Sequence, residues 1–456
     1  MVNLAPFILL PLAGEGAAKR RVRAAAKRGH TQHYSHTMRR LLLAFSLLFA
    51  VPTLAATPPN PTAPLDAYLK NPDGYSFKVI SQTSQQTRIA LTSQNWHGTK
   101  WQHEIRIYQP KKLLFPGRAV IQLTTRAFPW DDITGRLAAN NIGAPFISLY
   151  DVPNQPLFGR TEDGLFGLSL QKMFETRDPS WSLAFPMAKS ATRAMDAVQS
   201  WSKSQKKPLD KFVMIGFSKR GLAAWLAATD NRVMGLVSIG YNNLNVEKQA
   251  PNQLKEWGEY SLLLRAYTRG GLIEKVYSPP GQKLMATWDP YSFLDRLNKP
   301  KYLIDASNNG YWTLDALDLY TDKLRGPTQL LYVANAGHYM ESAIPSVFGS
   351  VGSWSRAVLQ NRSLPTPRLT KSGEKWRFEA KGATSAQIFY AFSANKDFRE
   401  APFQQITMQR RSDGDFSASI PAAPPDKPVV AVFGEGVWKG ESLPLKLSSR
   451  VLTGKF

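Results

Sequence analysis

At 456 residues, with 43% hydrophobic and 20% charged side chains, the chain is long enough to bury a large core and falls outside the disordered class. It has no cysteine, which excludes disulfides, thiolate catalysis and cysteine-ligated metal centres. Its formal charge of +23 comes with no nucleic-acid-binding motif, so the expected contacts are anionic lipid headgroups, polyanionic glycans or acidic substrates; the plainer alternative is a dispersed basic surface that only aids solubility.

In chain order, the first feature is Met38-Arg39-Arg40, followed by LLLAFSLLFAV and PTLAAT. A charged start, an apolar run too short to span a bilayer comfortably, and small residues at a cleavage point after Ala55 or Ala56 predict a secretory signal peptide over residues 38–56. Residues 1–37 then read as a gene start placed too early, and the mature chain as periplasmic or secreted, with no transmembrane segment after cleavage. Removing residues 1–56 takes away eight basic side chains and Glu15, so the formal charge falls by 7 to +16.

Beyond this, His97 and His103 sit among Trp96 and Trp101 in an early strand pair and are assigned to packing or hydrogen bonding. Apolar strand-like runs then alternate with helical patterns: AVIQL, APFISLY, the helix PMAKSATRAMDAVQSWSKS, KFVMIGF, the helix GLAAWLAA, VMGLVSIGY, PKYLIDAS, a helix in DALDLYTDKL, and TQLLYVANAGH. Alternation with continuously apolar strands predicts a doubly wound, mostly parallel sheet covered on both faces over residues 57–363. Residues 241–289, rich in aromatics and lacking a core strand, read as a lid insertion, in which Trp257, Tyr260 and Trp288, together with Trp225, either line an apolar pocket or fill the core. After the proline-bearing seam LPTPRL the period changes to two in QIFYAF, FSASI and VVAVF, which predicts a small antiparallel β-sandwich of immunoglobulin or fibronectin type over residues 364–456.

In VMIGFSKRG, Ser218 falls in the turn between the strand ending at Phe217 and the following helix. An α/β-hydrolase holds its nucleophile at such an elbow, although here the pattern is Gly216-x-Ser218-x-Arg220-Gly221, with the second glycine displaced by one. Helix N-capping is the structural alternative. The chain order of that fold, serine, acid, histidine, selects His338 as the base, since it follows the strand TQLLYV.

The acid is less plain. Both loops that supply it carry asparagine, at Asn242 and Asn243 and at Asn308 and Asn309, while Asp305 reads as too early, inside its strand or at its end. Two readings stay open: a triad in which Asp315 folds back to His338, and a dyad without an acid. The oxyanion donors would be the backbone N–H of Lys219 and one from the loop Thr124-Thr125-Arg126, with Thr125 the candidate. Arg220, Thr124, Arg126, Tyr311 and Trp312 are the candidate substrate contacts. Lys219 and Arg220 favour an acidic substrate; alternatively, Arg220 pairs with a buried carboxylate, for which Asp196 is the candidate, and Lys219 reaches solvent. Arg160, Glu162 and Asp163 read as an ion-pair network holding a cap over the pocket.

LAFPMAKSATRAMD (183–196), VPNQPLFGRTED (152–163), SKRG (218–221), NAGH (335–338), Asp397-Phe398-Arg399 and the GEG near Gly434 together resemble the bacterial PhoPQ-activated pathogenicity-related proteins. The resemblance runs from about Trp101 to the end and implies an α/β-hydrolase fold, export, and association with an envelope-stress regulon. By it Ser218 and His338 are nucleophile and base, and Asn309 stands at the usual acid position. The expected function is an exported serine hydrolase acting on an ester or amide of a small molecule or peptide, without cofactor or metal, with anionic envelope components as further partners. The alternative is a catalytically impaired homologue that binds in the envelope.

Overall fold

The structure, a computed structural model, describes residues 60–456. The expected signal peptide and the segment before it lie outside the described residues. After helix α1 (Ala63–Lys70), strands β1 (Ser76–Gln82), β2 (Gln86–Trp96) and β3 (Thr99–Tyr108) form an antiparallel ribbon. The alternation then follows as β4 (Arg118–Leu123), α2 (Asp131–Ile142), β5 (Phe146–Leu149), α3 (Glu162–Thr176), α4 (Ala184–Ser204), β6 (Lys211–Phe217), α5 (Lys219–Ala227) and β7 (Val233–Ile239). Four helices come next, α6 (Val246–Trp257), α7 (Arg265–Thr268), α8 (Leu272–Tyr277) and α9 (Pro279–Met285), in the segment expected to be a lid. β8 (Lys301–Ala306), β9 (Thr328–Val333) and α10 (Ile344–Leu359) complete this part.

Strands β5, β4, β6, β7, β8 and β9 lie side by side in that order, all parallel, and β3 joins β5 antiparallel. Successive side chains of a strand point to opposite faces, and both faces are covered here, which is why the strands read as continuous apolar runs. Met214 of β6 enters the core shared with Met187 of α4 and Trp225 of α5, while Val213 and Ile215 enter the core shared with Ala138 of α2 and Trp354 of α10. Strand order, the antiparallel β3 beside β5 and helices on both faces make this an α/β-hydrolase fold. His103 is buried as a structural residue, its Nδ1 3.0 Å from Tyr150 O and its Nε2 3.0 Å from both Ser93 Oγ and Ser190 Oγ. His97 stacks on Trp181 at 3.6 Å.

One expected helix is absent. Residues 315–324 form two short 3₁₀ turns, Ala316–Leu319 and Thr321–Lys323, broken at Tyr320, whose φ of −149° carries it out of the helical region. There its hydroxyl donates to Asn242 Oδ1 at 2.7 Å, a tertiary bond that outweighs helical propensity.

The remaining strands are antiparallel: β10 (Arg368–Ser372), β11 (Lys375–Glu379), β12 (Ser385–Ser393), β13 (Gln404–Thr407), β14 (Gln409–Arg410), β15 (Phe416–Ala418), β16 (Val429–Trp438), β17 (Leu445–Ser448) and β18 (Leu452–Gly454). β10, β11, β15 and β14 form a sheet of four strands. The others extend the central sheet, since Ser448 of β17 pairs with Leu330 of β9. The core likewise runs across the seam, because Trp376, Phe378, Val432 and Leu447 share one apolar cluster with Val213 and Trp354. Among the described residues no helix is long and apolar enough to cross a membrane.

Candidate active site

β6 ends at Phe217 and α5 begins at Lys219, so Ser218 alone makes the turn, at φ 54° and ψ −128°. A side chain held at positive φ costs on the order of 1–3 kcal/mol and persists where its surroundings enforce it. Here Ser218 N donates to Ile239 O at 2.7 Å. The neighbouring glycines are required by close approach: a Cβ on Gly216 would lie 2.1 Å from Arg220 O, and one on Gly221 would lie 2.8 Å from Tyr241 Cβ. The second tight contact of this elbow is therefore at 221, and position 220 has room for an arginine.

His338 Nε2 lies 3.1 Å from Ser218 Oγ. The imidazole is buried, with Tyr311 at 4.4 Å and Phe217 at 5.2 Å between ring centroids. Its loop is fixed by the C-terminal part of the chain. Asn335, at φ 56°, donates from Nδ2 to Phe403 O at 2.8 Å and accepts from Phe403 N at 2.7 Å. In the adjacent loop Asn308 Nδ2 donates to Phe398 O at 2.9 Å and to Ala401 O at 2.8 Å.

Asn309 is buried and turns its amide to Asp305, with Nδ2 2.6 Å from Oδ1, while its own Oδ1 accepts from Tyr311 N at 2.9 Å. Asp305 stands near the end of β8, and its Oδ2 accepts from Asn242 Nδ2 at 3.1 Å. Burial pushes its carboxyl up to about 6 against the hydrogen bonds from Asn309, Ala306 N and Asn242. Asp315 takes Asn252 Nδ2 of α6 at 2.9 Å, which ties it to the lid helix. The sequence reading placed Asn309 at the acid's position but did not foresee that a carboxylate four residues earlier would hold it.

The two elbow cations meet carboxylates from the first turn of α3. Lys219 Nζ is 2.8 Å from Glu162 Oε2 and 2.9 Å from Asp163 Oδ1, and Arg220 Nη2 is 2.6 Å from Glu162 Oε1. Arg220 Nε donates to Val152 O at 2.6 Å. Burial acts against the charge on Lys219, but Asp163 and Glu162 outweigh it and hold the ammonium above its ordinary range. Glu162 is held well below the carboxylate range, since Arg220 and Lys219 overcome the effect of burial. This corrects three expectations. Lys219 does not reach solvent; Asp196 pairs with Arg193 and Arg232 instead of Arg220; and Arg160 is exposed, outside the network. Tyr267, which no periodicity in the lid singled out, donates to Asp163 Oδ1 at 3.1 Å, and Tyr311 donates to Oδ2 at 2.9 Å.

Ser218 and Lys219 open onto a cavity between α3, α5 and the lid, and Tyr311, Trp312 and Trp288 are in its wall. Trp225 instead packs in the core, Trp257 lies under the Arg399 guanidinium at 4.3 Å, and Tyr260 is half-buried outside the wall. Thr124 lines a separate crevice beside Phe128, and Arg126 is exposed with its guanidinium 5.3 Å from the Phe128 ring. Thr125 O accepts from Asp151 N at 2.8 Å, which fixes the turn that carries the Thr125 N–H. The Lys219 N–H opens α5, where a helix has no internal acceptor to offer it. A hydroxyl within reach of an imidazole, beside a helix N-terminus, is an arrangement that can pass a proton and receive negative charge.

The fold and the serine–histidine pair at its elbow define a protein of the α/β-hydrolase class. Within that class the chain belongs to the PhoPQ-activated pathogenicity-related proteins, whose family model matches residues 66–399. It is similar to autocrine proliferation repressor protein A of Dictyostelium discoideum, with 28% identity over 350 residues, 71% of this chain and 70% of that protein. Among solved structures it is similar to an acetyl xylan esterase from Paenibacillus sp. R4, with 13% identity, a TM-score of 0.45, and coverage of 65% of this chain and 96% of that one. A glucuronoyl esterase from Solibacter usitatus gives 12% identity and a TM-score of 0.38 over 66% of this chain and 92% of that one.

Proposed function

We propose that the chain is a serine hydrolase that cleaves an ester or amide of a small molecule or peptide through an acyl-enzyme. The observation that carries this is Ser218 at φ 54° with its Oγ 3.1 Å from His338 Nε2. Ser218 Oγ attacks the carbonyl carbon as its proton passes to His338 Nε2, and the N–H groups of Lys219 and the Thr125 loop receive the oxyanion. The bond to the leaving group then breaks as that proton moves to the leaving oxygen or nitrogen. Water reverses the sequence and frees the acid. Labelling of the protein by a fluorophosphonate at neutral pH, abolished by Ser218→Ala, is the expected result; no labelling, or labelling that survives the substitution, overturns it.

A second reading, an impaired homologue that binds in the envelope, is favoured by one observation: Asn309 and Asp315 are engaged by Asp305 and Asn252. It predicts ligand binding without labelling.

Export to the periplasm or beyond is part of the proposal, supported by the charged and apolar run over residues 38–56, as is contact with anionic envelope components, supported by the formal +16 that remains once residues 1–56 are removed. N-terminal sequencing of protein from the periplasmic fraction should begin at Ala56 or Thr57. Recovery of residues 1–37 there would overturn export.

A further inference from the structure

The cavity beside Ser218 is walled by Phe166 and Leu170 of α3, Leu222 of α5, Ile273 and Val276 of α8, and Trp288. It runs from Ser218 to Ile273 and Val276 of α8 and Met285 of α9, and its lining is predominantly apolar, the character of a small-molecule site. Asp163 and Lys219 are the charged residues of the described wall, and they are paired with each other at 2.9 Å. Glu162 takes the same ammonium at 2.8 Å, and Tyr267 and Tyr311 donate to Asp163, so each charge is already met from within the protein. An anionic ligand group would meet an ammonium whose charge Glu162 and Asp163 already neutralise, and would lie beside those two carboxylates, which repel it. An apolar group meets no such obstacle and gains by leaving water.

The orientation of the substrate follows from the proton path. The leaving group takes its proton from His338 Nε2, so it must sit on the imidazole side of Ser218, and His338 lies outside the described cavity wall. We infer that the cavity receives the acyl half of the substrate, and that this acyl group is uncharged, apolar and longer than acetyl. This rests on the reading of Ser218 as the nucleophile.

The test compares p-nitrophenyl esters, which share a leaving group. Octanoate should exceed acetate in kcat/KM by on the order of tenfold or more, as several buried methylenes would give. It should also exceed the suberate monoester, of equal length but ending in a carboxylate. Ile273→Trp, at a half-buried position, should lower the ratio of octanoate to acetate kcat/KM. Val276→Phe narrows the same wall if the larger ring prevents folding. A preference for acetate, or equal turnover of the carboxylate-ended ester, overturns the inference. Binding is read separately on Ser218→Ala with N-phenyl-1-naphthylamine and 1-anilinonaphthalene-8-sulfonate, which share an aromatic body and differ by a sulfonate. Tighter binding of the neutral probe, weakened by Ile273→Trp, supports the apolar ligand class. Equal or tighter binding of the sulfonate overturns it even where esters are cleaved. Neutral-probe binding without cleavage of any ester upholds the ligand class and sinks the hydrolase reading alone.

Discussion

Asn309 Nδ2 and Asp305 Oδ1 are 2.6 Å apart, so a carboxylate introduced at 309 would face another at hydrogen-bond distance. Two like charges that close cannot both ionise without penalty, and the pair retains a proton above the ordinary carboxylate range. Burial already raises Asp305 to about 6, so the folded state binds more protons than the unfolded state from about pH 4 to 6, and stability falls as pH rises through that window. Asn309→Asp should extend the loss above pH 6, costing roughly 2 kcal/mol of additional stability between pH 5 and 8 in urea unfolding. The exchange Asp305→Asn with Asn309→Asp should restore the wild-type profile, since it keeps one carboxylate and one amide. A single variant with an unchanged pH profile would contradict the contact. Ser218 and His338 could be found in the sequence because strand, serine, helix and a late histidine follow chain order. That Arg220 meets a buried carboxylate was one reading of the sequence, but which carboxylate was not legible, because Glu162 lies 57 positions before Lys219 and 58 before Arg220, joined only by the fold.

Glu162 joins the first turn of α3 to the first turn of α5 by accepting from both Lys219 and Arg220. Glu162→Gln removes the anion and leaves Arg220 buried with a neutral amide, so the variant should lose about 3–5 kcal/mol in urea unfolding. The pH dependence has a definite sign. A carboxyl held below its unfolded value of 4.5 stabilises the fold above that pH, and the contribution is lost as pH falls below it toward the depressed folded value. Wild type should therefore be more acid-sensitive below pH 4.5 than the variant, whose curve should be flatter there. Elements with a strong period, such as β6, α4 and α5, were legible within a few residues. The cavity wall was not, because α8 and α9 span only Leu272–Tyr277 and Pro279–Met285, too short to show an amphipathic stripe.

At the scale of the whole molecule, the proline seam at residues 364–369 marks a change of sequence period but no break in the sheet or the core. Periodicity reports the pleat of a strand and its burial, whereas the partner across a sheet edge leaves no local signal. The consequence reaches the site, because the C-terminal segment holds the loops of Asn308 and His338 through the backbone of Phe398, Ala401 and Phe403. Asn335→Ala should cost about 1–3 kcal/mol, since Phe403 loses both partners. It should also slow fluorophosphonate labelling at a temperature where the variant is fully folded. Unchanged labelling would mean that the imidazole is held without this clamp.

Lys219, Arg220, Glu162 and Asp163 sum to zero, so the formal +23 is carried by the rest of the chain. Salt therefore separates two behaviours that share one molecule. Raising sodium chloride from about 20 to about 500 mM shortens the screening length to a few ångströms, which weakens exposed charges and leaves buried pairs nearly untouched. Adsorption to anionic vesicles should collapse over that range while kcat/KM for an uncharged ester stays flat, so that the protein can be released from a surface without being switched off.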